Sequence, residues 1–330
     1  MPFAARSAVL PPGPPLLKPP RLKPGALVGV VAPGGVLEEG HIERCVRNLE
    51  DFGVRVKLGA NIRAAHGGYA GTVAQRAEDV HAMFRDREVQ AIWCARGGSG
   101  CTALLPHLDY GLIRRSPKIV VGFSDITALH LGLLRRAGLV SFHGPAGIST
   151  FSDYSVANLR AVLMEPEASR TFEGAEENFV RTLGEPQFEP RPYVQGVATG
   201  RLVGGNLSIL TALVGTPYGA APGPNLLFLE EIGEAPYRID RMLTQLAQSG
   251  LLTTATGAML GVFQRCEATD GDPSLTLQEV LESHFRQGNR PAGYGYSFGH
   301  IPHQLTLPVG VRARLDTAAQ TLTLLEPAVS

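Results

Sequence analysis

The chain has 330 residues, of which 44% are hydrophobic and 18% charged, with 30 basic and 30 acidic side chains. That length exceeds the roughly 100 to 200 residues of a typical domain and predicts two. Zero net charge, with no basic run longer than Arg114-Arg115 and Arg135-Arg136, argues against a nucleic-acid binder, and no apolar run approaches the ~20 residues of a membrane span.

Residues 1–24 carry eight prolines and read as an extended lead-in whose first 20 residues are expected to be dispensable for activity. Its one apolar patch, Ala8-Val9-Leu10, stops at Pro11-Pro12 and is too short for a signal-peptide core, so a cytoplasmic protein is expected. Leu27 to Ala32 is a buried-type strand ending in Pro33-Gly34-Gly35. Ile42, Cys45, Val46, Leu49 and Phe52 then recur at helical spacing until Gly53. The alternation repeats with Val54–Leu58 as strand, Val73–Phe84 as a helix opened by the capping box Thr72/Gln75, and Val89–Cys94 as strand. After a glycine-rich turn come the strand Ile119–Gly122, a helix from about Ile126 to Arg136, and Gly138 as its stop. Repeated βα units over 25–165 predict a parallel sheet covered by helices.

From 166 to 195 the pattern dissolves into Glu, Pro and Gly and reads as a linker. Residues 196–330 read as a smaller mixed α/β domain, with helices at Asn206–Val214, Tyr237–Leu246 and Leu275–Phe285 and a closing hairpin over Arg312–Leu325. Cys45, Cys94, Cys101 and Cys266 form no C-x-x-C pair and read as reduced thiols.

Three places can carry chemistry. Ser124 stands on a strand-to-helix turn, where a hydroxyl is exposed and helix-start N–H groups can face an oxyanion; it is equally an N-cap serine, and Ile126 replaces the second glycine of G-x-S-x-G. Arg96-Gly97-Gly98-Ser99-Gly100 follows a strand and suits either a ligand-facing loop or a packing turn; it lacks the endings of a P-loop or dinucleotide fingerprint. Glu230-Glu231 close a buried strand, and His300 follows Gly299 at the end of another. Each alone is compatible with a structural role. His300 and His303 lack the further ligands of a metal site, and no metal or cofactor is expected.

Taken together, these segments resemble the LD-carboxypeptidase family of serine peptidases over about Pro24 to Pro308. The resemblance is carried by Val31-Ala32-Pro33, Cys94-Ala95-Arg96-Gly97-Gly98, Gly122-Phe123-Ser124-Asp125-Ile126-Thr127-Ala128-Leu129, His143-Gly144-Pro145, Gly204-Gly205-Asn206-Leu207, Leu229-Glu230-Glu231, Gly299-His300 and Leu307-Pro308-x-Gly310. It implies a flavodoxin-like or amidotransferase-like N-terminal domain, a mixed C-terminal domain and a homodimer. It also implies a triad of Ser124 as nucleophile, His300 as base and Glu230 as its partner. The oxyanion would be held by the backbone N–H groups of Gly98 and Asp125, with Arg96, Gly97 and Ser99 at the substrate. The family usually has serine at position 34, tyrosine at 99 and aspartate at 231, where this chain has Gly34, Ser99 and Glu231. The expected substrate is a small peptide, either a muropeptide tetrapeptide losing its terminal D-alanine or, as in microcin-immunity relatives, a peptidyl- or aminoacyl-nucleotide. A third possibility is a module that binds a peptide without cleaving it.

Overall fold

A computed structural model describes residues 13–269, 273–287 and 289–330, so residues 1–12 of the proline-rich lead-in lie outside the described residues. In chain order the N-terminal half contains β1 (Leu27–Val31), α1 (His41–Phe52), β2 (Arg55–Leu58), α2 (Val73–Arg85), β3 (Val89–Cys94), α3 (Cys101–Leu104) and α4 (Tyr110–Arg115). These are followed by β4 (Ile119–Gly122), α5 (Thr127–Gly132), β5 (Ser141–His143) and α6 (Asp153–Leu163). The second half contains β6 (Arg170–Phe172), α7 (Glu176–Arg181), β7 (Arg191–Val194), β8 (Val197–Asn206), α8 (Leu207–Ala212), β9 (Asn225–Ile232) and α9 (Pro236–Gln248). It closes with β10 (Gly257–Gln264), α10 (Leu277–Phe285), β11 (Ala292–Gly299), β12 (Leu307–Val309), β13 (Arg312–Asp316) and β14 (Thr321–Leu324).

The helices begin and end where local chemistry requires. Ile42, Cys45, Leu49 and Phe52 bury one face of α1, and Gly53 takes φ 98°, a left-handed value that suits glycine, to stop it. The reciprocal bonds of Thr72 and Gln75 open α2, and Thr276 with Glu279 does the same for α10. The helix expected from Ile126 to Arg136 is composite. A tight 3₁₀ turn over Ser124–Ile126 leads into α5, which widens to a π turn over Leu133–Ala137 before Gly138 ends it.

Two sheets result. The first has the order β12-β5-β4-β3-β1-β2 and is parallel except at one edge, where β12 crosses over from the second half and pairs antiparallel with β5, Leu307 opposite His143. The second has the order β6-β14-β13-β8-β9-β10-β11-β7, with a parallel centre of β8 to β11 and antiparallel flanks. The stretch 166–195, expected to be a linker, therefore supplies both outer strands of this sheet. Edge strands are short and pair on one side only, so β6 and β7 need no apolar alternation, and Pro192 is tolerated in β7.

The described part of the lead-in, from residue 13, is extended but anchored. Leu17 N–H donates to the Gly138 carbonyl at 2.7 Å, Val140 N–H to the Leu17 carbonyl at 2.9 Å, and Ser330 N–H to the Pro19 carbonyl at 2.9 Å. Leu22 is buried in the same core cluster as Phe52 of α1 and Leu159 of α6. Among the described residues, no helix is long and apolar enough to cross a membrane.

Candidate active site

The parallel order of β9, β10 and β11 brings the C-terminal ends of β9 and β11 to one edge, where open α/β sheets hold their functional groups. The register of β10 slips on both sides between Leu260 and Phe263. Gly299, at φ 114°, then lies so close to β9 that a Cβ would stand 3.1 Å from Glu230 Cβ. Only glycine suits both constraints, and the next residue, His300, is delivered beside Glu230.

Ser124 arrives from the other sheet. Its φ of 64° is left-handed, which is uncommon for a side chain with a Cβ and marks a sharp strand-to-helix turn. The second half holds this turn in place through β8. Asn206 N–H donates to Thr127 Oγ1 at 3.0 Å, and a Cβ on Gly205 would stand 2.4 Å from the same oxygen, so Gly204-Gly205-Asn206 lets α5 seat against the sheet.

The three side chains form one hydrogen-bonded line. Ser124 Oγ is 3.0 Å from His300 Nε2, and His300 Nδ1 is 2.7 Å from Glu230 Oε2. A carboxylate can only accept, which places the proton of neutral His300 on Nδ1 and leaves Nε2 free to accept from the serine hydroxyl. Glu230 is fully buried. Burial opposes charge on both partners and their attraction outweighs it, so Glu230 is held below the ordinary carboxylate value and His300 is raised above the ordinary imidazole value. A base, an orienting carboxylate and a strained serine in hydrogen-bond contact are the components of nucleophilic acyl transfer.

The glycine turn packs directly under the serine. A Cβ on Gly97 would stand 2.9 Å from Ser124 Cβ and 3.1 Å from its Oγ. Gly35 N–H donates to the Gly97 carbonyl at 2.8 Å, and Gly34 leaves room for that contact, since a Cβ there would stand 2.6 Å from the Gly97 oxygen. Arg96, Gly97 and Gly98 line an open cleft of about 640 Å³ together with Ser124 and His300; Ser99 is exposed and is not part of this lining. Arg96 Nη1 donates to the Val36 carbonyl at 3.0 Å and pairs with Glu38 at 3.5 Å. The Asp125 side chain turns inward and accepts from Cys101 N–H at 3.0 Å, and burial pushes its carboxyl above the usual value.

Comparison with known proteins identifies the family of the chain. The family model for the LD-carboxypeptidase N-terminal domain matches residues 28–144, and that for the LD-carboxypeptidase C-terminal domain matches residues 199–315. The chain belongs to the LD-carboxypeptidase family. This makes it a serine-type carboxypeptidase hydrolase by kinship. It is 40% identical over 309 residues to a probable murein peptide carboxypeptidase of Bacillus subtilis, covering 92% of this chain and 93% of that one. The crystal structure of a muramoyltetrapeptide carboxypeptidase from Oxalobacter formigenes is 30% identical with a TM-score of 0.76, covering 91% and 98%. A microcin C7 self-immunity protein in complex with adenosine monophosphate has the same fold, with a TM-score of 0.85 at 24% identity, covering 95% and 100%.

Several residues around these three side chains carry more than the sequence reading gave them. Glu231 was singled out as a neighbour of Glu230 and as a departure from the family's aspartate; it is buried on the opposite face, accepting from Asn206 Nδ2 and Ile232 N–H at 2.8 Å each and from Ser208 N–H at 2.7 Å. Burial, reinforced by the adjacent Glu230, raises its carboxyl above the usual value. His143, seen only as part of His143-Gly144-Pro145, is buried among Phe123, Phe228 and Phe298, with ring centroids 6.1, 5.4 and 6.2 Å away. Those rings immediately precede Ser124 or lie two residues before Glu230 and His300. Desolvation pushes His143 down to about 4, so it is a neutral wedge behind the three polar residues. His303, weighed with His300 as a metal ligand, instead approaches Glu177 Oε1 at 3.8 Å. Among the described residues, no cluster of three or more His, Cys, Asp or Glu side chains is arranged to hold a metal ion.

Proposed function

We propose that the protein hydrolyses the L,D amide bond that releases terminal D-alanine from a muropeptide tetrapeptide, with Ser124, His300 and Glu230 as its catalytic triad. The observation that carries this reading is the imidazole of His300, hydrogen-bonded on one side to the serine and on the other to a buried carboxylate. Ser124 Oγ attacks the carbonyl carbon while its proton passes to His300 Nε2, and Glu230 stabilises the imidazolium formed. The N–H groups of Gly98 and Asp125 receive the oxyanion. Collapse breaks the C–N bond, His300 returns its proton to the leaving amine, and D-alanine departs. A water molecule, deprotonated by His300, then attacks the acyl-serine ester, releasing the tripeptide acid and restoring Ser124.

The name of the Bacillus relative and that of the Oxalobacter structure support a murein-derived peptide as substrate. The same reading places the enzyme in the cytoplasm, acting as a homodimer on a soluble peptide without a metal or cofactor. Incubation with a muramoyl tetrapeptide and, in parallel, with an aminoacyl sulfamoyl-adenosine, followed by mass spectrometry, tests it. D-Alanine release from the tetrapeptide is expected. Cleavage of the nucleotide conjugate alone would transfer the triad to the microcin-type reaction, and cleavage of neither would leave a peptide-binding module.

A further inference from the structure

The cleft holds two unsatisfied groups of opposite character, one from each half of the chain. Arg44, near the start of α1, is exposed and lines the cleft with Ser124 and His300. Arg96 is already engaged by Val36 and Glu38, whereas the Arg44 guanidinium has no hydrogen-bond or ion-pair partner among the described residues. Its position is fixed one turn further on, where Asn48 Nδ2 donates to the carbonyls of Gly147 and Ser149 at 2.8 and 2.9 Å, tying α1 to the loop that forms part of the cleft wall.

Gln304 is the second group. It is 2% exposed, its Nε2 donates to the Ile301 carbonyl at 2.8 Å, and its Oε1 is buried with no partner. The two ends of a carboxamide are normally ambiguous, but Ile301 O requires a donor, which fixes the nitrogen there and leaves the oxygen as the unpartnered atom of a residue that lines the cleft. A buried acceptor without a donor is costly and calls for an explanation.

A peptide with a free C-terminus brings both missing partners, a carboxylate and backbone N–H donors. A guanidinium is suited to the first by its planar fork of donors, and a carboxamide oxygen accepts the second. We propose that the cleft contains a chain-end subsite in which Arg44 binds the terminal carboxylate of the substrate and Gln304 Oε1 accepts one of its backbone N–H groups. The proposal rests on the carboxypeptidase reading above and names the feature that restricts the triad to chain ends.

The test compares a tetrapeptide ending in D-alanine as the free acid with the same peptide as its C-terminal amide. Kinetics are measured on the wild type, R44Q, R44K and Q304L, and binding of both peptides to S124A is measured by calorimetry. The wild type is expected to favour the acid by about 10- to 100-fold in kcat/KM, the range of a single charge-assisted hydrogen bond. R44Q should lose that preference through a raised KM for the acid, and R44K should keep part of it. Q304L should weaken acid and amide alike, because both carry the N–H. Equal use of acid and amide by the wild type, or an equal effect of R44Q on both, would overturn the subsite. If the wild type turned over neither peptide, the carboxypeptidase reading would fall. The calorimetry would still decide the subsite, because binding to S124A that is indifferent to the carboxylate, or to R44Q in that background, would sink it.

Discussion

Glu230 and Glu231 are adjacent and buried, yet replacing each with glutamine should affect turnover very differently. Glu230 commits one oxygen to His300 Nδ1 at 2.7 Å, and its other oxygen has no partner. The E230Q side chain would retain the volume but remove the charge that stabilises an imidazolium, and its amide nitrogen could reverse the tautomer of His300. A serine-protease precedent for this defect is a loss of up to about 10⁴-fold in kcat. Stability should fall as well, because the attraction to His300 that outweighs the desolvation of the carboxylate is lost. Glu231 differs because both its oxygens accept: Oε1 from Asn206 Nδ2 and Ile232 N–H, Oε2 from Ser208 N–H. A glutamine there must point its NH₂ at one of those donors, which costs about 1–3 kcal/mol. Saturating kinetics and urea unfolding of both variants give a double comparison, with both destabilised but only E230Q losing turnover by orders of magnitude, and E231Q keeping kcat within about tenfold of the wild type. A larger turnover loss at Glu231 than at Glu230 would refute the assignment.

Gly97→Ala should fold but lower kcat by at least about tenfold, because the new Cβ stands 2.9 Å from Ser124 Cβ and must displace the serine; unchanged steady-state kinetics would show that the glycine turn does not support Ser124. Burial pushes His130 down to about 3 and His143 down to about 4. Both stay neutral in the folded protein while the unfolded chain takes up protons below about pH 6.5. Each therefore removes about 2 kcal/mol of stability between pH 7 and 5. His300, raised by Glu230, acts in the opposite sense. Chemical denaturation of the wild type and of His143→Phe, which suits the aromatic surroundings, isolates the His143 share, and parallel pH profiles for the two would contradict it. Deleting residues 1–20 removes the Leu17 and Pro19 bonds to Gly138, Val140 and Ser330 and the Lys18–Glu326 pair. It should lower stability by about 1–3 kcal/mol while leaving kcat of the folded enzyme within a few-fold, as read by calorimetric melting beside kinetics.

What was legible in the sequence follows from how local each signal is. Val89–Cys94 and Ile119–Gly122 are continuous apolar runs that only a buried strand satisfies, and the Thr72/Gln75 box fixes its helix start within four residues. Ser124, Glu230 and His300 stand out through the motifs around them, although nothing local brings residues from two sheets into contact. Where the determinant is non-local, the sequence is silent. Leu307-Pro308-Val309 gives no hint that it leaves its own half to pair with Ser141–His143, and the short edge strands β6 and β7 are stabilised by partners far along the chain. The same holds for Arg44, His143 and Gln304, ordinary residues whose significance comes from what packs around them and which of their atoms stay unpartnered.

The central claim is that Ser124 is a nucleophile and not a helix cap, and one side-by-side measurement tests it most directly. Wild type and Ser124→Ala are incubated with muramoyl tetrapeptide, D-alanine is quantified by mass spectrometry, and the melting temperature of each is recorded. D-Alanine is expected from the wild type and none from Ser124→Ala, with closely similar melting temperatures, since the half-buried turn hydroxyl contributes little packing beyond its bond to His300. Retained D-alanine release by Ser124→Ala together with a stability loss of about 1 kcal/mol would contradict it, because that is the behaviour of a capping serine.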